Sequence, residues 1–283
     1  MATFTNKATL SFNGGSTDSN TVTGTFLEAL TVSKAAVSDT YEQGGRETYV
    51  ISIVNTGSAS YTNLTVSDNL GAYIYNGATL YPLEYNDGAV RYYINGVLQA
   101  PPQVLSGPVL TFSGISVPAG GNALIIYEAD VNDFAPLDSG STITNAVTVS
   151  GGNLGTPIST TEEISVLSAP SLSITKALSP TTVPENGQIT YTFVIQNSGN
   201  TAAVATDNLT VTDVFDPVLD ISLVTLDGVT LTEGTDYTYN AQSGEFSTVP
   251  SLITVPAAEY TRAPDGTVVI SPSAVTLTVT GTI

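Results

Sequence analysis

Phe4-Thr5-Asn6-Lys7-Ala8-Thr9-Leu10-Ser11, near the start of the chain, is echoed by Ile143-Thr144-Asn145-Ala146-Val147-Thr148-Val149-Ser150. Apolar or small residues alternate in both, the period of a strand with one face turned to a core. Phe4, Asn6, Ala8, Leu10 and Phe12 share that face in the first copy. Asn13-Gly14-Gly15 and Ser16-Thr17-Asp18-Ser19 supply turn residues, and a second strand is expected from Asn20 to about Phe26. The later copy closes a repeat. The first opens the chain and has no domain of its own.

Working outward, the rest of the chain repeats as well. Leu30-Thr31-Val32-Ser33-Lys34-Ala35 matches Leu172-Ser173-Ile174-Thr175-Lys176-Ala177. Glu47-Thr48-Tyr49 to Asn55-Thr56-Gly57 matches Ile189-Thr190-Tyr191 to Asn197-Ser198-Gly199. Asn63-Leu64-Thr65-Val66-Ser67-Asp68 matches Asn208-Leu209-Thr210-Val211-Thr212-Asp213. Ile94-Asn95-Gly96-Val97 and Leu226-Asp227-Gly228-Val229 both read as two-residue hairpin turns. Ile125 to Val131 matches Leu277 to Ile283, where the second copy stops. The first copy goes on through Ile143 to Val149 and Ile158 to Leu167, a terminal hairpin.

Short strand signals separated by Gly, Asn, Asp and Pro, with no helical period, predict an all-β chain of two tandem Ig-like β-sandwiches behind an N-terminal donor β-hairpin. The expected divisions are 1–29 for the donor segment, 30–168 for a complete sandwich, and 169–283 for one lacking its last strands. Composition agrees: 41% of the 283 residues are hydrophobic and 11% charged. The net charge of −19 argues against nucleic acid or an anionic membrane as partner and suits a soluble extracellular protein. Without Cys or His, disulfides, Cys/His zinc sites and imidazole acid–base chemistry are excluded. Met1 to Lys7 is polar and lacks the apolar stretch of a secretory signal. The expectation is a mature form, or release by a route such as lysis of a mother cell around a spore. Ala123 to Tyr127, the longest apolar run, is too short to span a membrane.

A sandwich without its closing strands exposes core surface and an open sheet edge. The orphan hairpin is the natural cover. Domain one lies between it and the second sandwich, so the hairpin of one subunit is expected to complete the second sandwich of the next. That is β-augmentation through a heterologous contact that propagates as a head-to-tail homopolymer. The alternative is a surface adhesin or S-layer binding module that does not self-polymerise.

Both repeats resemble the Ig-like "conserved repeat" of bacterial and archaeal surface proteins, the domain-of-unknown-function eleven family. The resemblance rests on Ile174-Thr175-Lys176 followed by Pro180, on Thr190-Tyr191 to Asn197-Ser198-Gly199-Asn200, on Val211-Thr212-Asp213, and on Ile143-Thr144-Asn145-Ala146. It implies a β-sandwich on a cell surface or appendage, and no specific activity. The split second repeat departs from the family pattern, and strand donation resembles bacterial pili.

The chain has three lysines, Lys7, Lys34 and Lys176, and the last two occupy the same repeat position. Leu30, Val32 and Lys34 share a face, as do Leu172, Ile174 and Lys176, so both lysines are expected to point inward. Asp68 and Asp213 follow inward Leu and Val residues, and Asn145 and Asn6 sit between inward apolar neighbours. Burial neutralises Lys toward a nucleophile and Asp toward an acid that can polarise a carboxamide. That set suits a spontaneous Lys–Asn isopeptide bond with loss of ammonia, resembling those of Gram-positive pilin and adhesin sandwiches. The expected crosslinks are Lys34 to Asn145 within the first repeat, assisted by Asp68, and Lys176 to Asn6 of a neighbouring subunit, assisted by Asp213. The same residues also read as buried Lys–Asp ion pairs capped by an amide. Glu128 is a rival carboxylate whose register points outward. Calcium at Asp130, Asn132 and Asp133, a sugar platform at Tyr92 and Tyr93, glycosylation at Asn63 and Asn208, and a glycosidase carboxylate pair are weaker readings. No enzyme activity, metal or cofactor is expected.

Overall fold

In the computed structural model residues 3–25 and 29–283 are described. The alternating text folds almost entirely as strands, and among the described residues the sole helical element is a 3₁₀ turn at Ala205–Asp207. No helix among these residues is long and apolar enough to cross a membrane.

The opening segment holds β1 (Thr3–Asn6), β2 (Thr9–Phe12), β3 (Gly15–Asp18) and β4 (Val22–Thr25). It is one hairpin with a break: β1 pairs with β4, and β2 with β3. A strand therefore forms at Gly15–Asp18, where turn residues were expected, because Lys7 and Thr9 hold Asp18 across the hairpin at 2.6 Å each. Phe26 lies outside the described residues. From Phe4 to Thr23 the residues are exposed, with Leu10 at 65% and Phe12 at 59%. Phe4 and Phe12 lie over Gly24 and Gly15 directly opposite, where no side chain intervenes.

The first repeat runs β5 (Leu30–Ala36), β6 (Thr40–Tyr41), β7 (Arg46–Asn55), β8 (Tyr61–Asp68), β9 (Tyr73–Tyr75), β10 (Ala78–Leu80), β11 (Leu83–Tyr85), β12 (Arg91–Ile94), β13 (Val97–Leu98), β14 (Gln103–Leu105), β15 (Leu110–Val117), β16 (Asn122–Val131), β17 (Thr142–Gly151) and β18 (Ile158–Val166). One sheet has the order β13-β12-β16-β7-β5 and the facing sheet β14-β15-β8-β17-β18-β6. Ile51, Ile53, Leu64, Val66, Phe112, Ile125, Tyr127 and Val147 interlock between them and are fully buried. Strict alternation along β7 and β16 gives each strand one buried face.

The second repeat runs β19 (Leu172–Ser179), β20 (Gln188–Asn197), β21 (Thr212–Val214), β22 (Asp220–Leu226), β23 (Val229–Thr230), β24 (Tyr237–Tyr239), β25 (Glu245–Thr248), β26 (Glu259–Arg262), β27 (Val268–Ser271) and β28 (Ser273–Thr282). Its large sheet, β19-β20-β28-β22-β23, repeats the order β5-β7-β16-β12-β13 of the first, without a counterpart of β11, which also pairs with β16 there. The hairpin turns read at Asn95-Gly96 and Asp227-Gly228 are present, with both residues of each at positive φ. The facing sheet is shorter, β21-β25-β24, and β21 is its edge. In the first repeat β17 pairs along that edge of β8. Without such a partner, Asn208 to Val211 is not strand, although Asn208 keeps the left-handed backbone of Asn63, φ 54° against 56°. A separate core of Ile189, Phe193, Phe215, Phe246, Leu277 and Val279 fills this sandwich.

The repeats meet end to end. Asn200 donates to the carbonyls of Leu137 and Leu167, and Arg262 donates to the Tyr73 hydroxyl at 2.7 Å. Leu30 lies at the opposite pole of the first repeat, paired with Asn55.

Candidate crosslinking site

Four strands deliver four polar side chains to the centre of the first sandwich. Lys34 comes from β5, Asp68 from the end of β8, Tyr127 from β16 and Asn145 from β17. Lys34 is 5% exposed, and Asp68, Tyr127 and Asn145 are fully buried. The Lys34 ammonium donates to Asp68 Oδ2 at 2.5 Å and to the Tyr127 hydroxyl at 3.2 Å. Tyr127 donates to the same Asp68 oxygen at 2.5 Å, and Asn145 Nδ2 donates to the Tyr127 hydroxyl at 3.1 Å. Asp68 Oδ1 takes the Leu70 N–H at 2.9 Å. Asn145 Oδ1 is buried and has no hydrogen-bond partner among the described residues.

The expected trio therefore meets, in an arrangement that alternation did not predict. Asp68 was expected to polarise the Asn145 carboxamide; instead it bonds Lys34 and Tyr127, and Tyr127 stands between it and the amide. The β8–β17 register accounts for this: Val147, not Asn145, lies opposite Asp68. Tyr127 was legible only as an inward position. Its one sequence signal is that the matched residue of the second repeat is Val279.

Burial pulls the Lys34 ammonium down to about 8, against the opposing pull of Asp68 and, more weakly, Glu162. Burial also raises the Tyr127 hydroxyl well above its ordinary value, and the Asp68 carboxylate adds to this. The Lys34 nitrogen lies 4.7 Å from the Tyr49 ring centre, and Tyr49 stacks on Tyr127 at 5.4 Å.

In the second repeat Lys176 is hydrogen-bonded to Asp213, with side chains 40% and 17% exposed. The nitrogen sits 4.5 Å from the Tyr191 ring centre, the counterpart of Tyr49. Phe215 lies against Tyr191 with ring centres 4.9 Å apart and planes tilted by 31°, whereas Tyr127 stacks on Tyr49 in the first repeat. The ring is replaced and the hydroxyl is not. Along β19 every residue is exposed, and Leu172, Ile174, Leu209, Val211 and Ile253 line an open cavity of about 200 Å³. Asn6 is exposed on the N-terminal hairpin, opposite Val22 in β4. Within the chain, no hydrogen bond among the described residues joins it to Lys176.

Glu128 points outward and lies 3.6 Å from Arg46. Asp130 is held by Arg46 at 2.7 Å and Asp133 accepts from Gln43. No group of three or more acidic side chains among the described residues is placed to hold a metal ion. Tyr92 is buried, with its hydroxyl bonded to the Ser116 backbone.

No family model matches the chain, and no curated protein matches it. Solved structures similar to it include BcpA, the major pilin subunit of Bacillus cereus, at 13% identity over 96% of this chain and 73% of that one, with a TM-score of 0.36. The pilus backbone RrgB of Streptococcus pneumoniae is 14% identical over 86% of this chain and 55% of that one, with a TM-score of 0.36. A C-terminal fragment of the major pilin GBS80 of Streptococcus agalactiae is 11% identical over 86% and 91%, with a TM-score of 0.35. At these values the likenesses carry no functional conclusion.

Proposed function

We propose that the chain is the structural subunit of an extracellular filament on a cell or spore surface, joined head to tail by donated strands and locked by Lys–Asn isopeptide bonds. Residues 1–29 are the donor segment, 30–168 a complete sandwich and 169–283 a sandwich that the donor completes. One observation carries the reading: the groove between β19 and β21 is open, the matching groove of the first repeat is filled by β17 and β18, and the sequence copy of β17 stands exposed at the start of the chain.

Chain geometry favours a second copy as the occupant. In the filled groove the hairpin tip points to the Leu30 pole, where Asn153 bonds Thr62 and Ser60, and its base lies at the far pole, where Leu167 bonds Tyr41. The same orientation in the second groove puts the donor's base at the pole remote from the first repeat. To reach it, a chain's own hairpin would have to bridge two strand lengths, about 60 Å at ~3.3 Å per residue. The link from Thr25 to Leu30 reaches only about 17 Å. A neighbouring chain needs no such bridge, because its Leu30 follows directly. Asn6 then takes the place of Asn145 beside Lys176.

Negative-stain microscopy of the purified protein is expected to show fibres that deletion of residues 1–26 abolishes. A chain that stays monomeric, and whose second repeat is equally stable after the deletion, overturns strand donation. Boiled gels are expected to show a ladder that Lys176→Ala collapses to monomer; wild-type fibres that run only as monomer overturn the intersubunit bond.

A further inference from the structure

We propose that Tyr127 is a catalytic residue of the Lys34–Asn145 bond, passing a proton to the departing amide nitrogen; this rests on the crosslink proposed above. The hydroxyl touches every reacting group. It accepts from Lys34 at 3.2 Å and from Asn145 Nδ2 at 3.1 Å, and donates to Asp68 at 2.5 Å. Asp68 makes no hydrogen bond with Asn145, so the phenol is the polar group linking the acid to the leaving nitrogen. The Lys34 and Asp68 side chains are fully enclosed, as are Tyr127 and Asn145.

The geometry dictates a balanced sequence. Lys34 gives one ammonium proton to Asp68 Oδ2, at 2.5 Å. Asp68, now a neutral acid, turns from acceptor to donor toward the phenol oxygen and frees the phenolic hydrogen to point at Asn145 Nδ2. The Lys34 nitrogen attacks Asn145 Cγ. As the Cγ–Nδ2 bond breaks, Nδ2 takes the phenolic proton and leaves as ammonia, while the phenol oxygen takes the proton that Lys34 sheds on becoming an amide. The products are one secondary amide, one ammonia and a protonated Asp68, and Tyr127 is restored. Asn145 Oδ1 has no donor in the ground state, so the reactant carboxamide is not stabilised there. Burial keeps the Tyr127 hydroxyl protonated.

The second repeat lacks the hydroxyl as well as the cover, so a Lys176–Asn6 bond would have to close without this relay. It keeps the lysine, the aspartate and an aromatic ring beside the lysine, but has Val279 at the position of Tyr127.

The test follows crosslinking during cell-free synthesis, with acid quenching and intact-mass detection of the loss of one ammonia. Asn145→Leu serves as the unbonded standard. Tyr127→Phe, which keeps the ring, is expected to fold to the same protease-resistant core and to close the bond about a hundredfold more slowly or worse, the range of a lost general acid–base. Closure at the wild-type rate in Tyr127→Phe overturns the relay and leaves the bond standing. Wild-type protein at full mass overturns the bond itself and the relay with it. Should Tyr127→Phe not fold, difluorotyrosine placed at 127 preserves packing and makes the hydroxyl more acidic. The relay then predicts a changed closing rate, and an unchanged rate overturns it.

Discussion

In the first repeat Lys34 and Asp68 lie beneath β17 and β18, sealed from water. In the second, Lys176 and Asp213 occupy the same strand positions beside an open groove. Sequence, register and the ring under each lysine nearly coincide, so the difference lies in what covers the pair. Covering a charged pair removes solvent from both ions, makes each hostage to the other, and pushes the lysine toward its neutral form. Leaving it open keeps the pair solvated and weak. On the proposed reading, the first repeat is what the second becomes when a neighbour's hairpin arrives.

The largest expected contrast is between two equivalent lysine substitutions. Lys34→Met strands Asp68 in the core and is expected to cost the first repeat about 3–5 kcal/mol. Lys176→Met in unpolymerised chains is expected to cost the second less than about 1 kcal/mol. Urea unfolding followed by fluorescence of the two cores measures both, and equal losses would erase the distinction between covered and open pairs.

Next in size is an addition rather than a loss. A peptide of residues 1–26, given to chains that lack that segment, is expected to stabilise only the second repeat, by about 2.7 kcal/mol at a hundred times its dissociation constant. Calorimetric melting reads the shift. Stabilisation of the first repeat instead would mean that the groove between β19 and β21 is not the receptor.

A pH series sharpens the comparison further. With the bond blocked by Asn145→Leu, folded Lys34 titrates near 8 rather than near its ordinary 10.5, so between those values the folded state holds fewer protons than the unfolded one. The first repeat is therefore expected to gain stability as pH rises from 8, by at most about 1.4 kcal/mol per unit. The gain fades above about pH 10, because unfolded tyrosines ionise there while buried Tyr127 and Tyr49 resist. Stability that is flat or falls between pH 8 and 10 would contradict a lysine held under desolvation.

The smallest effect should be the same in both repeats. Asn63 and Asn208 share a left-handed backbone that alanine adopts poorly, so Asn63→Ala and Asn208→Ala are each expected to cost about 1 kcal/mol in their own repeat. A marked inequality in unfolding midpoints would show that the local backbone, and not only the cover, differs between them.

Alternation and internal repetition made much of the fold legible. Hydrophobic period two assigned inward faces to Lys34, Asp68 and Asn145, and all three are buried. The repeated hairpin turns and the shared strand order followed from matched text. Three features were not legible. A strand at Gly15–Asp18 replaced an expected turn, since an aspartate bridging two strands outweighs turn propensity. The stretch before Asp213 lost its strand, since pairing needs a neighbour. Asp68 met a tyrosine and not the amide, since register across two strands set the distance.

The sequence by itself determined that this is a repeated all-β chain, with an echo of its first repeat's closing strand near its start and a lysine and an aspartate at matched positions twice. Those properties belong to single strands, whose side chains alternate whatever they pair with. Only the tertiary structure decided which groups touch: the Tyr127 hydroxyl at the centre of one cluster, the Phe215 ring near Lys176 in the other, and a groove left open beside Lys176. Such contacts form between strands far apart in the chain, and the sheet register and facing distance that create them are properties of the packed sandwich.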